Sequence, residues 1–269
     1  MRSIVMSSTN ETSTLQSMLL GLYALVRRSG FLSTSFGRWL FETAYEVYKE
    51  LLEAGEVKHL TPYITPGSTV IDVGANVGFF TRRFARWAGD NGRIIAVEAE
   101  DLNYQRLLRR IEKEGLTKQV DPLHAAVAEK PGTLMLQLNP DHPGDHKLGE
   151  EGVPVKAVTL DGLMEERNWP EVSFIKIDVQ GAEMRVFAGA KELLSKMKPA
   201  LFVEVDDAHL KAQGTDAKSL IQHLMGYGYA PHKVEKTGIS NALGEDEAVA
   251  LVSAPGSYLD FLFLVPEKK

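Results

Sequence analysis

The segment Val70-Ile71-Asp72-Val73-Gly74-Ala75-Asn76-Val77-Gly78-Phe79-Phe80 decides how the chain is read. An apolar run ends in an acidic residue, a tight turn with two glycines follows, and an amphipathic helix begins. Glycine lets the backbone turn sharply and leaves no Cβ between the chain and a ligand. The first N–H groups of the helix lack intrahelical partners and point into the same space. The segment therefore predicts a strand–turn–helix that receives a nucleoside-type cofactor.

The spacing discriminates among such cofactors. A dinucleotide fingerprint needs G-x-G-x-x-G. Here Asn76 replaces the glycine that lets the backbone approach a pyrophosphate, and the third glycine is missing. A Walker-type Gly-Lys-Ser/Thr is also absent. S-adenosylmethionine has no phosphate, carries a sulfonium and an amino group, and suits an acidic neighbour such as Asp72. A second apolar run, 93–97, follows the turn signal Asp90-Asn91-Gly92 and ends in Glu98, 24 residues after Gly74. An acidic residue near that distance accepts hydrogen bonds from a ribose diol. NAD and S-adenosylmethionine share that diol, so Glu98 supports both. Its other reading is a solvated strand end.

The 269 residues, 44% hydrophobic and 25% charged, fit one large globular domain or one domain plus an extension. The chain has no cysteine, which excludes thiolate catalysis, disulfides and Cys-ligated zinc. A net charge of −6 argues against a polyanion partner, so no nucleic acid is expected, although Arg106, Arg109 and Arg110 form a local basic cluster. No run reaches the length of a membrane span. The apolar run 18–26 is preceded by Ser, Thr and Asn and followed by Arg27-Arg28, the reverse of a signal peptide. These features predict a cytoplasmic protein.

Residues 1–14 read as disordered. Helical spacing over 15–60 predicts an extension placed before the main domain, and residues 61–269 form that domain. Covering the cofactor, shaping the substrate pocket and forming a homodimer contact are three roles that fit the extension. From Ser68, strands at 68–73, 93–98, 119–123, 173–178 and 200–205 alternate with helices at 79–89, 101–114 and 182–196. Asp101 reads as an N-cap and Gly115 as a C′ residue. The pattern predicts an α/β fold with a doubly wound, mostly parallel sheet. Extra strands are expected at 133–138 and 153–158, flanking a polar loop from Asn139 to Gly152. The end of the chain reads as a hairpin of strands 247–254 and 258–265 around Pro255-Gly256-Ser257, closing one edge antiparallel.

Phe174-Ile175-Lys176-Ile177-Asp178-Val179-Gln180-Gly181-Ala182-Glu183 repeats the logic of the first segment. In such sheets ligands bind outside the carboxyl ends of the strands, which puts Asp178 at the crevice with Asp72 and Glu98. Glu204, ending 201–205, is placed likewise. Carboxylates converging there can bind a cationic cofactor, deprotonate a hydroxyl or hold a divalent metal. For Asp178 the bland alternative is a helix-capping Asp. For Glu183 it is a favourable charge in a first helical turn.

The two segments together, with Val158-Thr159-Leu160-Asp161 and the acidic strand end at Glu204, resemble the FkbM family of S-adenosylmethionine-dependent methyltransferases over roughly residues 60–265. The resemblance implies a class I methyltransferase fold, which is Rossmann-like. It also implies methyl transfer to a hydroxyl of a sugar, glycan or secondary metabolite. The family usually has Glu where this chain has Gln180, which removes an acid–base or metal role there but leaves cofactor contact by the neighbouring backbone.

Together with the residue reading, the resemblance assigns Asp72, Gly74, Ala75, Asn76, Gly78 and Phe79 to the methionine end of the cofactor. Glu98 would hold the ribose, Ala125 and Ala126 would border the adenine, and Asp178 and Gln180 would close the site. Asp178, Glu204 and His209, in that order, are the candidate bases, and no metal site is assigned. His142 and His146, with Asp141 and Asp145, read as a solvated loop because Pro143-Gly144 opposes a helical metal pair, with a substrate lid as the other reading. His59, His124, His223 and His232 read as structural, and Tyr227 and Tyr229 as a helix end leading into a strand. The competing functions are a nicotinamide-dependent oxidoreductase and a non-catalytic S-adenosylmethionine-binding module.

Overall fold

The computed structural model describes residues 56–139 and 146–266. The tail, the helical extension up to residue 55 and its homodimer contact lie outside the described residues, as do Asp141, His142 and Asp145. Within 56–60, residues 56 and 57 are α-helical, as expected, and lead into a 3-10 segment, Lys58–Tyr63.

Strand and helix alternate from β1 (Thr69–Val73) through α1 (Phe79–Ala88), β2 (Arg93–Glu98) and α2 (Asp101–Lys113) to β3 (Val120–His124). Four strands follow, β4 (Ala126–Val127), β5 (Gly132–Gln137), β6 (Lys147–Gly149) and β7 (Val153–Val158). The alternation resumes with α3 (Leu160–Glu166), β8 (Val172–Ile177), α4 (Glu183–Ala188), α5 (Lys191–Lys196) and β9 (Ala200–Asp206). The last elements are α6 (Asp207–Ala212), α7 (Ala217–Gly226), β10 (Ala230–Glu235), β11 (Gly238–Ile239), α8 (Glu245–Val252) and β12 (Tyr258–Leu264).

The main sheet has the order β11-β10-β12-β9-β8-β1-β2-β3. Its stretch from β9 to β3 is parallel, and β12 runs antiparallel between β9 and β10. Both faces are covered. Ile71, Ile95, Ile175 and Leu201 point into one apolar cluster with residues of α3, α4, α5 and α7. Their neighbours Val70, Ile94, Phe174 and Phe202 point into another with Phe84 and Ala88 of α1 and Leu107 and Ile111 of α2. Side chains alternate between faces along a strand, so a sheet packed on both sides needs apolar residues at nearly every position. All of β1 is buried, including the polar Thr69 and Asp72.

The helix ends follow local chemistry. The N-cap of α2 is Glu100, one residue before the expected Asp101, and its carboxylate accepts from the N–H groups of Leu102 at 3.0 Å and Asn103 at 2.7 Å. Gly115, at φ +72°, ends α2, as expected, with Leu116 N–H returning to Ile111 O. The helix expected over 182–196 is broken into α4 and α5 at Gly189-Ala190. A Cβ on Gly189 would lie 2.2 Å from the carbonyl oxygen of Ala128, so the chain passes too close there for a continuous helix with side chains. Asp161 caps α5, accepting from Glu192 N–H at 3.0 Å and Leu193 N–H at 2.9 Å.

Two expectations are corrected. Residues 247–254 are not a hairpin strand, because Glu245–Val252 is helix α8. Glu245, Asp246 and Glu247 favour the positive end of a helix, and Ala248 and Val252, four apart, are its buried positions. The antiparallel edge is built instead from β12, which lies where 258–265 was expected, and from β10 and β11. The segment expected as a loop from Asn139 to Gly152 also contains a strand, β6. β6 pairs antiparallel with β5, completing a second sheet of order β4-β7-β5-β6.

Phe174→Ala opens space between β8 and α1, where the Phe174 and Phe84 rings lie 5.4 Å apart. We expect it to cost about 3–5 kcal/mol, read as a lower urea midpoint at an unchanged m-value.

Candidate functional site

The turn after β1 is held by its neighbours before any ligand arrives. Gly74 and Ala75 donate to Val97 O, both at 3.0 Å, so the turn hangs on the end of β2. Gly74, at φ +76°, packs against the chain after β8, where a Cβ would lie 1.9 Å from the carbonyl oxygen of Asp178. Gly78, at φ +85°, is required by packing, since its Cβ would meet Leu107 of α2 at 2.9 Å. Asn76 adopts a left-handed conformation at φ +49°, and its N–H donates to Glu98 Oε2 at 2.7 Å. That donor is engaged inside the protein and is not offered to a pyrophosphate.

A crevice opens at the carboxyl ends of β1, β2 and β8. Gly74, Asn76, Glu98, Ala125, Ala126, Asp178 and Gln180 line it, as the sequence assigns. Asp72, Ala75, Gly78 and Phe79 do not. Ala75 and Phe79 are buried, and Phe79 stacks under the Arg83 guanidinium at 3.8 Å. Asp72 is fully buried beneath the turn, where its Oδ2 accepts from Thr81 Oγ1 at 2.6 Å. A broader hollow of about 560 Å³, bordered by Tyr63, Trp169 and Lys198, lies at the opposite end of β8 and β9.

Residues not foreseen also shape the crevice. Glu100 and Asn103 line it from the start of α2, and Leu136, His146 and Leu148 line it from the second sheet. His146 therefore belongs to the wall of the site, its Nδ1 accepting from Asn139 N–H at 3.0 Å. The backbone N–H can only donate, so Nδ1 is the unprotonated ring nitrogen in this arrangement. Among the described residues, no Lys or Arg lines the crevice.

The chain after β8 carries a linked set of charges. Gln180 Nε2 donates to Asp178 Oδ1 and to Glu204 Oε2, both at 3.2 Å. Glu204 lies behind Gln180 rather than in the crevice wall. Glu183, fully buried, reaches back from α4 to accept from Val179 N–H at 3.3 Å and Gly181 N–H at 3.1 Å. Lys176, 3% exposed in the middle of the sheet, places its ammonium 3.3 Å from Asp178 Oδ2 and 3.7 Å from Asp72 Oδ1. A charge inside the apolar run 174–177 was the sequence signal for it. His209 does not line the crevice. It sits in α6 with Nδ1 3.5 Å from Asp206 Oδ2, and its carbonyl packs against Gly181. Among the described residues no group of three or more His, Cys, Asp or Glu is arranged to hold a metal ion. No helix among them is long and apolar enough to cross a membrane.

Burial dominates the electrostatics. It pushes the Glu98 carboxyl up to about 7, against the N–H groups of Glu100 and Asn76 that favour its charged form. It pushes Glu183 up to about 7 against the N–H groups of its own loop. Asp72 is raised by burial, with Lys176 and Thr81 opposing. Glu204 is raised well above the usual range by burial and then by the nearby Asp178 and Asp260. Of these four, Glu98 lines the crevice, where a cation or hydrogen-bond donors would make it more acidic.

Comparison with known proteins places this geometry in context. The sequence pattern of the methyltransferase FkbM domain matches residues 72–231. The hexuronic acid methyltransferase AglP of Haloferax volcanii is 27% identical over 128 residues, which cover 47% of this chain. The match spans 51%, about half, of that protein's length. Among solved structures, an FkbM methyltransferase from Methylobacillus flagellatus is similar with a TM-score of 0.47 at 17% identity, covering 73% of this chain and 43% of that one. An S-adenosylmethionine-dependent methyltransferase from Aquifex aeolicus is similar with a TM-score of 0.43 at 14% identity, covering 78% of this chain and 89% of that one.

Because Glu183 changes from 4.5 when unfolded to about 7 when folded, its contribution to stability is present below pH ~4.5 and lost as pH rises through ~7. Glu183→Gln keeps an acceptor for Val179 and Gly181 without the charge. Its stability relative to wild type should rise between pH 4.5 and 8 by up to roughly 3 kcal/mol, measured by urea unfolding at both pH values. A difference independent of pH would show that Glu183 is not the buried titrating group.

Proposed function

The chain belongs to the methyltransferase FkbM domain family of S-adenosylmethionine-dependent methyltransferases, and on that premise we propose that it methylates a hydroxyl oxygen of a sugar, glycan or secondary metabolite. The family match across the turn and the chain after β8 carries the transfer. The likeness to a hexuronic acid methyltransferase supports a sugar as acceptor. A cytoplasmic site of action belongs to the same proposal.

The crevice suits S-adenosylmethionine by its donor set. Its acidic residues, Glu98, Glu100 and Asp178, stand in a wall that has no Lys or Arg among the described residues, which favours a cationic ligand over a phosphate-bearing one. Glu98 already has one N–H on each oxygen, Glu100 on Oε1 at 2.8 Å and Asn76 on Oε2 at 2.7 Å. Each carboxylate oxygen has a second lone pair, so Glu98 is oriented and still able to accept from ribose hydroxyls. Ala125, Ala126, Leu136 and Leu148 offer an apolar wall for the adenine. When bound, the cofactor supplies a methyl group on a sulfonium, a good leaving group at neutral pH.

The chain's own task is then alignment and proton transfer. Asp178 is the carboxylate of the crevice wall on the β8 side, so it is the group placed to receive the acceptor hydroxyl and take its proton. Gln180 on Oδ1 and Lys176 on Oδ2 keep that carboxylate in one orientation. Glu204, held through Gln180, is pushed toward its neutral form by burial and by Asp178 and stays out of the wall.

Asp178→Asn keeps the shape and the Gln180 contact but removes the base. Turnover on a hydroxylated sugar acceptor at saturating cofactor should fall at least about a hundredfold, while S-adenosylhomocysteine still binds by calorimetry. Near-normal turnover would remove Asp178 from the role of base. Binding of NADH with no binding of S-adenosylhomocysteine would favour the oxidoreductase reading.

A further inference from the structure

Lys176 is the unusual group at this site. Lysine is almost never fully buried unless it is paired, because an isolated ammonium in the interior is costly. β1 and β8 run parallel with Asp72 opposite Lys176. The simplest account of Lys176 is thus that it neutralises Asp72. Lys176 does stabilise the Asp72 carboxylate, 3.7 Å away, but its ammonium also reaches the rim. It donates to Gly74 O at 2.8 Å and lies 3.4 Å from Val73 O. Asp178 Oδ2, at 3.3 Å, is nearer to it than Asp72 Oδ1. Thr81 holds Asp72 through its other oxygen.

Lys176 therefore serves the rim as well as Asp72. We propose that Lys176 is a positioning residue of the transfer site, tying the carbonyl of the cofactor-facing Gly74 turn to the carboxylate of Asp178. The proposal rests on the cofactor reading above and adds the device that sets its geometry. The tie joins segments already in backbone contact, since the Gly74 Cα lies against the Asp178 carbonyl with no room for a Cβ. The Phe80 ring of α1 lies 5.4 Å from the ammonium and faces it. The same charge acts on the wall, because Lys176 lowers the proton affinity of Glu98 and of Glu204. One cation thus holds both halves of the crevice and favours the charged state of the carboxylates around it.

The full chain and S-adenosylhomocysteine suffice to test this. Lys176→Met alone would leave Asp72 buried beside no cation, so the comparison is made within Asp72→Asn. Adding Lys176→Met to Asp72→Asn should weaken S-adenosylhomocysteine binding at least about tenfold by calorimetry, with the circular dichroism spectrum unchanged. That loss should shrink to about threefold or less when Asp178→Asn is also present, because one end of the tie is then already altered. Equal affinity with and without Lys176→Met, or losses that add independently of Asp178, would overturn the tie and leave Lys176 as a counter-ion of Asp72. If the double variant does not fold, Lys176→Arg decides. It keeps a cation beside Asp72 and displaces the donors, so native affinity in the folded variant overturns the proposal and weakened affinity supports it. A wild-type chain that binds no S-adenosylhomocysteine overturns the cofactor reading itself.

Discussion

Gly74 and Asp178 touch backbone to backbone, with no room for even a methyl group between them. The contact follows from the parallel register of β1 and β8, which places Val73 beside Ile177 and ends both strands at the same level. Two glycine turns far apart in the chain thereby become the two sides of one crevice. Nearly every other feature of the site serves this junction. The Gly74 and Ala75 N–H groups fix the turn to β2, Glu183 fixes the loop after Asp178, and Gly78 lets α2 close against α1.

The junction comes at an electrostatic cost. Asp72, Glu98, Glu183 and the half-buried Glu204 are all pushed upward by burial, so the fold keeps carboxylates where neutral groups would be more stable. Backbone N–H groups offset part of that cost at Glu98 and Glu183, and Lys176 offsets part of it at Asp72. Such stored unfavourable charge is what a site for a cationic ligand needs, since the ligand relieves it on entry. Gln180 fits the same balance. A carboxylate in its place would bring a further negative charge between Asp178 and Glu204, whereas the amide donates to both.

Some of the shared sequence pattern proves to be architecture. Thr159 caps α3 by accepting from Gly162 N–H at 3.0 Å, and Asp161 caps α5. Of the candidate bases, only Asp178 reaches the wall. Sequence could not separate it from Glu204 and His209, because all three lie at or just beyond the carboxyl ends of β8 and β9, which face the same way. Which of them reaches the wall depends on how the chain leaves each strand. His146 was read as part of a solvated loop, with a substrate lid as the other reading. Its place in the wall follows from the pairing of β6 with β5, which brings His146 and Leu148 to the crevice.

The alternation of buried strands and helices, the two glycine turns and the acidic strand ends are local patterns, and these the sequence determined by itself. A residue's place on a strand or a turn depends on a few neighbours and on backbone geometry. Tertiary structure decided the rest. Ala248-Val249-Ala250-Leu251-Val252 suits a strand or a helix equally by composition, and packing of Ala248 and Val252 chose the helix. Asp72 looks like a ligand-facing acid in sequence, but Thr81 and Lys176, brought to it by α1 and β8, hold it beneath the turn. An ionisable side chain is assigned its task by the charges and donors around it, and those come from distant segments that only the folded sheet brings together.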